Sequence, residues 1–256
     1  MRIRNSPSRR KFLGGAIGAA CTALLSGCDA LSKTQWFPKI LDTAEHLNRT
    51  AQGLITSRKS MAQEFTEADL SPEFRSNGTD YPDAPEYRAH AEAEFANWAL
   101  RVDGLVNRPS DFSLAQLRAM RSRTQITRHD CVEGWSAIGK WTGVPLSEVL
   151  AAVQPHPQAR YVVFYCADTM DDGARYYESV DLDDAYHPQT ILAYGLNGKP
   201  LPIANGAPLR VRIERQLGYK MAKYIMRIEL VDTFRTIADG GGGYWEDRGY
   251  EWYAGI

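Results

Sequence analysis

From residue 98 to residue 231 the sequence alternates short β-rich runs with single short helical stretches, and this limits the fold more than any other feature. Trp98-Ala99-Leu100-Arg101-Val102-Asp103-Gly104 alternates apolar and polar residues and ends on a turn, as a half-buried strand does. Residues 124–129 read as a strand running into Cys131. Residues 161–167 form an apolar, β-branched and aromatic run suited to a buried strand. Further strands are expected near 191–196, 209–214 and 225–231. Ser113 is placed to cap a short helix through Met120, and Pro145 opens a helix to Val153. Strands outnumber helices and the helices stand singly, so the expectation is α+β, with a mixed or barrel-like sheet.

The flanks differ in kind. Ser8-Arg9-Arg10-Lys11-Phe12-Leu13 fits the twin-arginine export pattern S-R-R-x-F-L and precedes an apolar run over 12–25. That run is shorter than the about twenty residues a permanent span needs. It ends Leu25-Ser26-Gly27-Cys28, which fits a bacterial lipobox with lipid on the Cys28 sulfur; an ordinary signal peptide that contains a cysteine is the alternative. Asp29 is similar to an inner-membrane retention signal. The chain is therefore expected to leave by the twin-arginine translocase and to reside in the periplasm, anchored to the inner membrane through Cys28. Residues 1–28 would be the signal, 29–68 a membrane-proximal helical segment and 69–256 the functional domain. Leu41, Ala44, Leu47, Ala51, Leu54 and Ile55 mark an amphipathic helix over 41–59 within that segment. Residues 69–91, with Pro72, Pro82, Pro85 and Asn77-Gly78, read as irregular extended chain that lines a site or wraps the surface.

Removing residues 1–28 takes away five basic residues and no acid, so the formal charge goes from −1 to −6. No basic stripe remains, which argues against nucleic acid. Of the four cysteines only Cys131 and Cys166 lie beyond the signal. In an oxidising compartment they could pair; if a metal holds one sulfur, the other stays free.

Three clusters carry candidate chemistry. The first is Arg128-His129-Asp130-Cys131-Val132-Glu133-Gly134-Trp135. A thiolate is a soft ligand for a redox metal and needs positive neighbours to stay deprotonated. Arg128 and His129 are such neighbours, although a strand alternates their faces and Glu133 opposes them; a buried small hydrophobe is the other reading of Cys131. The second is Gly218-Tyr219-Lys220-Met221-Ala222-Lys223, a glycine-led turn whose two lysines can hold a phosphate or simply be solvated. The third is Asn205-Gly206-Ala207-Pro208-Leu209-Arg210, a polar loop entering a strand.

In that order the clusters resemble the sulfite-oxidase superfamily of molybdopterin enzymes, closest to its bacterial branch of periplasmic methionine-sulfoxide reductases. The matching residues are Cys131-Val132-Glu133-Gly134-Trp135-Ser136, then Trp141, Gly143, Pro145 and Leu146. After them come Leu192 with Gly198-Lys199-Pro200-Leu201-Pro202, then Asn205 to Arg210, and then Gly218, Lys220 and Lys223, with Leu217 in place of an aromatic residue. The resemblance covers about residues 70–256. It implies the sulfite-oxidase-type fold and a molybdenum–molybdopterin cofactor, to which Cys131 supplies the one protein sulfur. It implies that Asn205, Arg210, Met221, Ala222, Lys223 and Lys220 contact the pterin and its phosphate. Asn77 matches an asparagine on the first cofactor loop. Cys166 falls where the reductases have a cofactor-touching threonine; it is structural, a weak donor or a redox-sensitive neighbour. Glu133 and Trp135 sit at the reacting face beside Cys131.

Two departures bear on substrate. Sulfite oxidases bind a dianion with arginines, partly just after the metal cysteine, where this chain has Val132-Glu133-Gly134-Trp135. The sequence also stops soon after Tyr253-Ala254, where the reductases continue. The resemblance thus implies oxygen-atom transfer, with reduction of an S-oxide or N-oxide such as methionine sulfoxide, small or protein-bound. Sulfite oxidation is the alternative, and a cofactor-free lipoprotein binding module is the alternative of another class. No Cys-x-x-Cys-His haem site is present, so electrons must cross to or from another protein; the expected partner is a b-type cytochrome membrane subunit or another periplasmic electron carrier.

Overall fold

Among the described residues, ten strands form two open sheets. The structure is a computed structural model, described here for residues 59–256. The twin-arginine and lipobox motifs, Cys28 and nearly all of the expected 41–59 helix lie outside the described residues.

Helix α1 spans Pro85–Glu92, with proline in its first turn, where the missing N–H costs nothing. Strands β1 (Ala99–Gly104) and β2 (Ser110–Ser113) follow, then α2 (Leu114–Ala119). Ser113 caps α2 by accepting from the Gln116 N–H, and Gln116 accepts from the Ser113 N–H in return. Strand β3 (Arg123–Cys131) pairs along its whole length with β4 (Trp135–Pro145). Helix α3 (Leu146–Val153), β5 (Tyr161–Thr169), β6 (Arg175–Asp181) and the single turn α4 (Leu182–Ala185) come next. Strands β7 (Ile191–Leu196), β8 (Lys199–Pro200), β9 (Arg210–Arg212) and β10 (Ile225–Val231) complete the sheets.

The first sheet runs β2-β1-β10-β5-β6. The second runs β3-β4-β7-β8, with β9 also on β7. Only β1 and β10 pair in parallel; every other pairing is antiparallel. The fold is α+β with mixed sheets. Neither sheet closes on itself, so the barrel-like option gives way to open sheets packed through a shared core. Val144, Leu146, Val149, Leu150 and Val153 pack there with Leu100, Val102, Val162, Phe164, Ile228 and Leu230, all essentially without solvent contact. A second cluster joins Phe74, Ala137, Trp141, Ile191 and Ala193.

Gly143 shows why β4 needs a glycine. A Cβ there would stand 2.3 Å from the Leu192 carbonyl oxygen and 2.6 Å from the Ala193 Cα, at the irregularity where β4 crosses onto β7. The 69–91 stretch is not wholly irregular, since α1 lies inside it: Pro85 starts a helix there rather than interrupting extended chain. Upstream of α1 the chain does wrap the second sheet. Phe65 N–H donates to the Ile126 carbonyl, Ser71 N–H donates to that of Ile138, and Phe74 packs edge-on to Trp141. Both described cysteines are free thiols.

Candidate active site

Strand β3 turns inward on alternate residues: Gln125, Thr127, His129 and Cys131 are buried. Period-two geometry therefore delivers Cys131 to the last inward position before the Val132-Glu133-Gly134 turn. There it lines a cavity of about 370 Å³. The other walls are Asn77, Gly78 and Thr79 from the first loop, Asp168 near the end of β5 and Met170 just after it, Tyr176 from β6, Gly218, Tyr219 and Met221 to Lys223 between β9 and β10, and Trp245 and Tyr250 from the C-terminal segment. The loops at one end of the two sheets thus meet around one sulfur.

Burial pushes the Cys131 thiol up. The Glu133 backbone N–H, Arg210 and Arg75 pull it down, while the Glu133 carboxylate opposes them. The neighbours expected from sequence do not act: Arg128 points outward to Asp130 at 3.0 Å, and His129 is neutral. Burial, then Arg210, Arg212 and Lys223, hold the His129 pKa well below its usual value. Its Nδ1 lies 2.9 Å from Arg212 Nη1. A guanidinium can only donate, so Nδ1 accepts and the ring proton sits on Nε2. Trp135 Nε1 donates to Glu133 Oε2 at 2.9 Å, which fixes the acid on the exposed turn.

The expected binding residues separate into three positions. Asn77, Met221, Ala222 and Lys223 line the cavity. The Lys223 ammonium donates to the carbonyls of Asn77 and Thr79, each at 2.6 Å, and of Ala204 at 2.9 Å. Burial, then Arg210, lowers its pKa to about 7. Asn205 and Arg210 stand behind the lining. Arg210 donates to the Asn205 carbonyl and to Asn77 Oδ1, both at 3.3 Å, and lies over the Trp141 ring. Among the described residues no carboxylate bonds to it, and its buried Nε has no partner. Burial and then Arg212 lower its pKa to about 9.

Lys220 and Cys166 do not reach the cavity. Lys220 is fully buried and ion-paired to both Glu178 and Glu246, because the 218–220 turn directs it away from Lys223. It latches the C-terminal segment to β6 rather than facing a ligand. Cys166 is buried in the main core opposite Ile225. Burial drives its pKa well up, so it is a neutral packing thiol.

Several lining residues carry no sequence signal. Asp168 ends an apolar run, and Met170 and Tyr176 belong to no motif. The clustered aromatics after Asp239 were visible, but not their place. Trp245 and Tyr250 stack with centroids 5.2 Å apart, and Tyr250 meets Tyr219 edge-on at 5.3 Å, making an aromatic wall across from the polar loops.

The family described as oxidoreductase molybdopterin binding domain matches residues 87–236. The chain belongs to this family. It is an oxidoreductase of the molybdopterin class. A relative in Azospira oryzae, named putative protein-methionine-sulfoxide reductase subunit YedZ1, is 36% identical over 249 residues, covering 97% of this chain and 88% of that protein. The protein-methionine-sulfoxide reductase catalytic subunit MsrP of Xanthomonas axonopodis is 40% identical over 171 residues. That match covers 63% of this chain and 52% of the Xanthomonas protein, so the chain spans about half the length of that relative. Among solved structures, the sulfane dehydrogenase SoxCD from Paracoccus pantotrophus aligns with TM-score 0.49 and 21% identity, over 54% of this chain and 39% of that one.

Proposed function

We propose that the protein is a molybdenum–molybdopterin oxygen-atom transferase that reduces a neutral S-oxide or N-oxide, methionine sulfoxide being the leading candidate. The names of its relatives support the S-oxide class. The observation that carries the reading is the make-up of the cavity wall. Its charged lining residues are Glu133, Asp168 and Lys223, and no arginine is among them. Lys223 already gives its three donors to carbonyls. A dianion such as sulfite would meet two acids and no arginine in the lining. A neutral oxide brings a dipole for the polar side and apolar substituents for the aromatic wall.

The residues fit the cofactor. Among the described residues no cluster of three or more His, Cys, Asp or Glu side chains is placed to cage a metal, so a metal here must bring most of its ligands with it. Cys131 would give it one sulfur. Arg210, buried without a carboxylate partner and with Nε unpaired, is a standing demand for an anion behind the cavity. Lys223, whose three donors go to carbonyls, would add its charge beside the pterin phosphate that Arg210 holds, with Asn77 and Asn205 orienting the guanidinium. When bound, the cofactor supplies the two-electron oxygen-atom transfer. The protein's part is to place the oxide dipole near Cys131, to bury its substituents against Trp245 and Tyr250, and to keep water out.

Molybdenum and pterin content of the purified protein tests the cofactor. Turnover with methionine sulfoxide, dimethyl sulfoxide and trimethylamine oxide, set against sulfite, tests the direction. Efficient sulfite oxidation with no turnover of any oxide would overturn the proposal.

The twin-arginine and lipobox motifs support export in folded form and an inner-membrane lipid anchor at Cys28, which places the enzyme beside a membrane-bound b-type cytochrome as electron donor. Fractionation checks the anchor: Cys28→Ser should move the protein from the membrane fraction, and wild-type protein found wholly in the soluble periplasm would refute it.

A further inference from the structure

Asp168 is the buried acid of the cavity wall. Between Tyr165 and Thr169 the β5–β6 register breaks, and Asp168 falls in that break rather than in a regular ladder position. The residue lines the cavity with Thr79, whose hydroxyl bonds its carboxylate, and with Lys223. The residue is 5% exposed, and its Oδ1 lies inside the protein with no hydrogen-bond partner. Leaving a buried carboxylate oxygen undonated is costly, and protonation removes the cost. Lys223 does not neutralise it by contact, since that ammonium donates to three carbonyls. The other acid of the lining, Glu133, sits on the exposed turn and is bonded to Trp135.

Reduction of an S-oxide consumes two protons and two electrons. The S–O bond breaks, sulfur keeps the electron pair, and the oxygen ends as water. With reduced viologen as donor, two viologen radicals supply the electrons through the cofactor. Resting on the S-oxide reading above, we propose that Asp168 is the proton donor of this reaction, handing one proton to the oxide oxygen as the S–O bond breaks; the second proton comes from solvent, and Asp168 is reprotonated from solvent between turnovers.

The electrostatics agree. Burial raises the Asp168 pKa to about 6, against its own backbone N–H, Lys223, the Thr79 hydroxyl and Arg175. Asp168 in turn helps raise the pKa of Tyr87, Tyr176, Tyr224 and Cys166, all of which burial already pushes toward their neutral forms. An acid so placed is protonated in a useful fraction close to neutrality.

The test uses the holoenzyme, with Asp168→Asn and Asp168→Glu, reduced methyl viologen and methionine sulfoxide. Wild-type kcat should fall as pH rises through a single step. Asp168→Asn should lower kcat about 100-fold and abolish that step, with unchanged molybdenum and pterin content and with KM within about twofold. Asp168→Glu should restore a step at a shifted pH. Independently of turnover, infrared difference titration should show a protonated-carboxyl band in wild type that is missing from Asp168→Asn. Wild-type kcat and an unchanged pH step in Asp168→Asn would overturn the proposal alone, as would loss of pterin from that variant. A wild-type enzyme that reduces no oxide would remove the S-oxide reading and this proposal with it.

Discussion

Arg212 Nη1 stands 2.9 Å from His129 Nδ1, and the imidazole it orients is pressed against Gly218, the first residue of the turn that leads to Lys223. Phe74 and Trp135 flank the ring, with centroids 5.7 and 5.4 Å away, and Glu214 pairs with Arg212 at 2.6 Å. A buried, oriented histidine thus sets the position of the 218–223 turn relative to β3.

Gly218→Ala tests that packing. The added Cβ would lie 2.5 Å from both His129 Cε1 and Nε2. The ring is fully buried between Phe74 and Trp135 and is tied to Arg212, so overpacking should cost about 1–3 kcal/mol. For a body of this size that lowers Tm by about 2–4 °C per kcal/mol. A melting curve superimposable on wild type would show that the ring yields.

The Lys220 latch makes a second prediction. Removing one partner of a buried ion pair costs about 3–5 kcal/mol, so Lys220→Met should be strongly destabilised, and adding Glu178→Gln should recover part of the loss. Burial raises the Glu178 pKa well above the usual carboxylate value. The folded protein then holds, within the Lys220–Glu178–Glu246 cluster, a proton that the unfolded chain has released. Its stability contribution is present below the unfolded pKa and is lost as pH rises through the folded one. Stability should therefore decline with rising pH above the ordinary glutamate range, and Glu178→Gln should flatten that decline in urea titrations.

Cys131→Ser should abolish turnover, because a hydroxyl cannot reproduce thiolate donation to a redox metal. Wild-type turnover at full metal loading in this variant would exclude Cys131 as the ligand.

Lys223→Glu should strip the cofactor. It sets a carboxylate beside Arg210, where an anionic ligand is expected, and so competes with the ligand for that cation. Pterin content measured on the purified variant should fall much further than its Tm; normal pterin content would remove Lys223 from the phosphate site.

Trp245→Ala should weaken oxide binding. Losing one face of the stacked Trp245–Tyr250 wall should raise KM for methionine sulfoxide about tenfold with kcat little changed, the pattern of lost uniform binding. An unchanged KM would mean the substrate lies elsewhere in the cavity.

Much of the fold could be read from residue order alone. Strands β7 and β10 end where their apolar runs end, and Ser113 caps the predicted helix, because these depend on alternation and on local capping. Strand β4 escaped notice because Trp135–Pro145 includes two glycines and a lysine, and only its pairing with β3 and β7 makes it a strand. Helix α1 was hidden by the prolines around it.

The sequence by itself determined the chemical inventory: Cys131 at the end of a strand, and the Asn205–Arg210 and Gly218–Lys223 blocks that carry the resemblance. These are local facts, carried by residue type and spacing. Only the tertiary structure decided which of those residues meet. Lys220 and Lys223 are three apart, yet one latches the C-terminal segment and the other lines the cavity, since a tight turn sends them opposite ways. Asp168, Trp245 and Tyr250 join Cys131 from distant parts of the chain. Such long-range juxtaposition comes from how two open sheets pack, and no spacing along the chain encodes it.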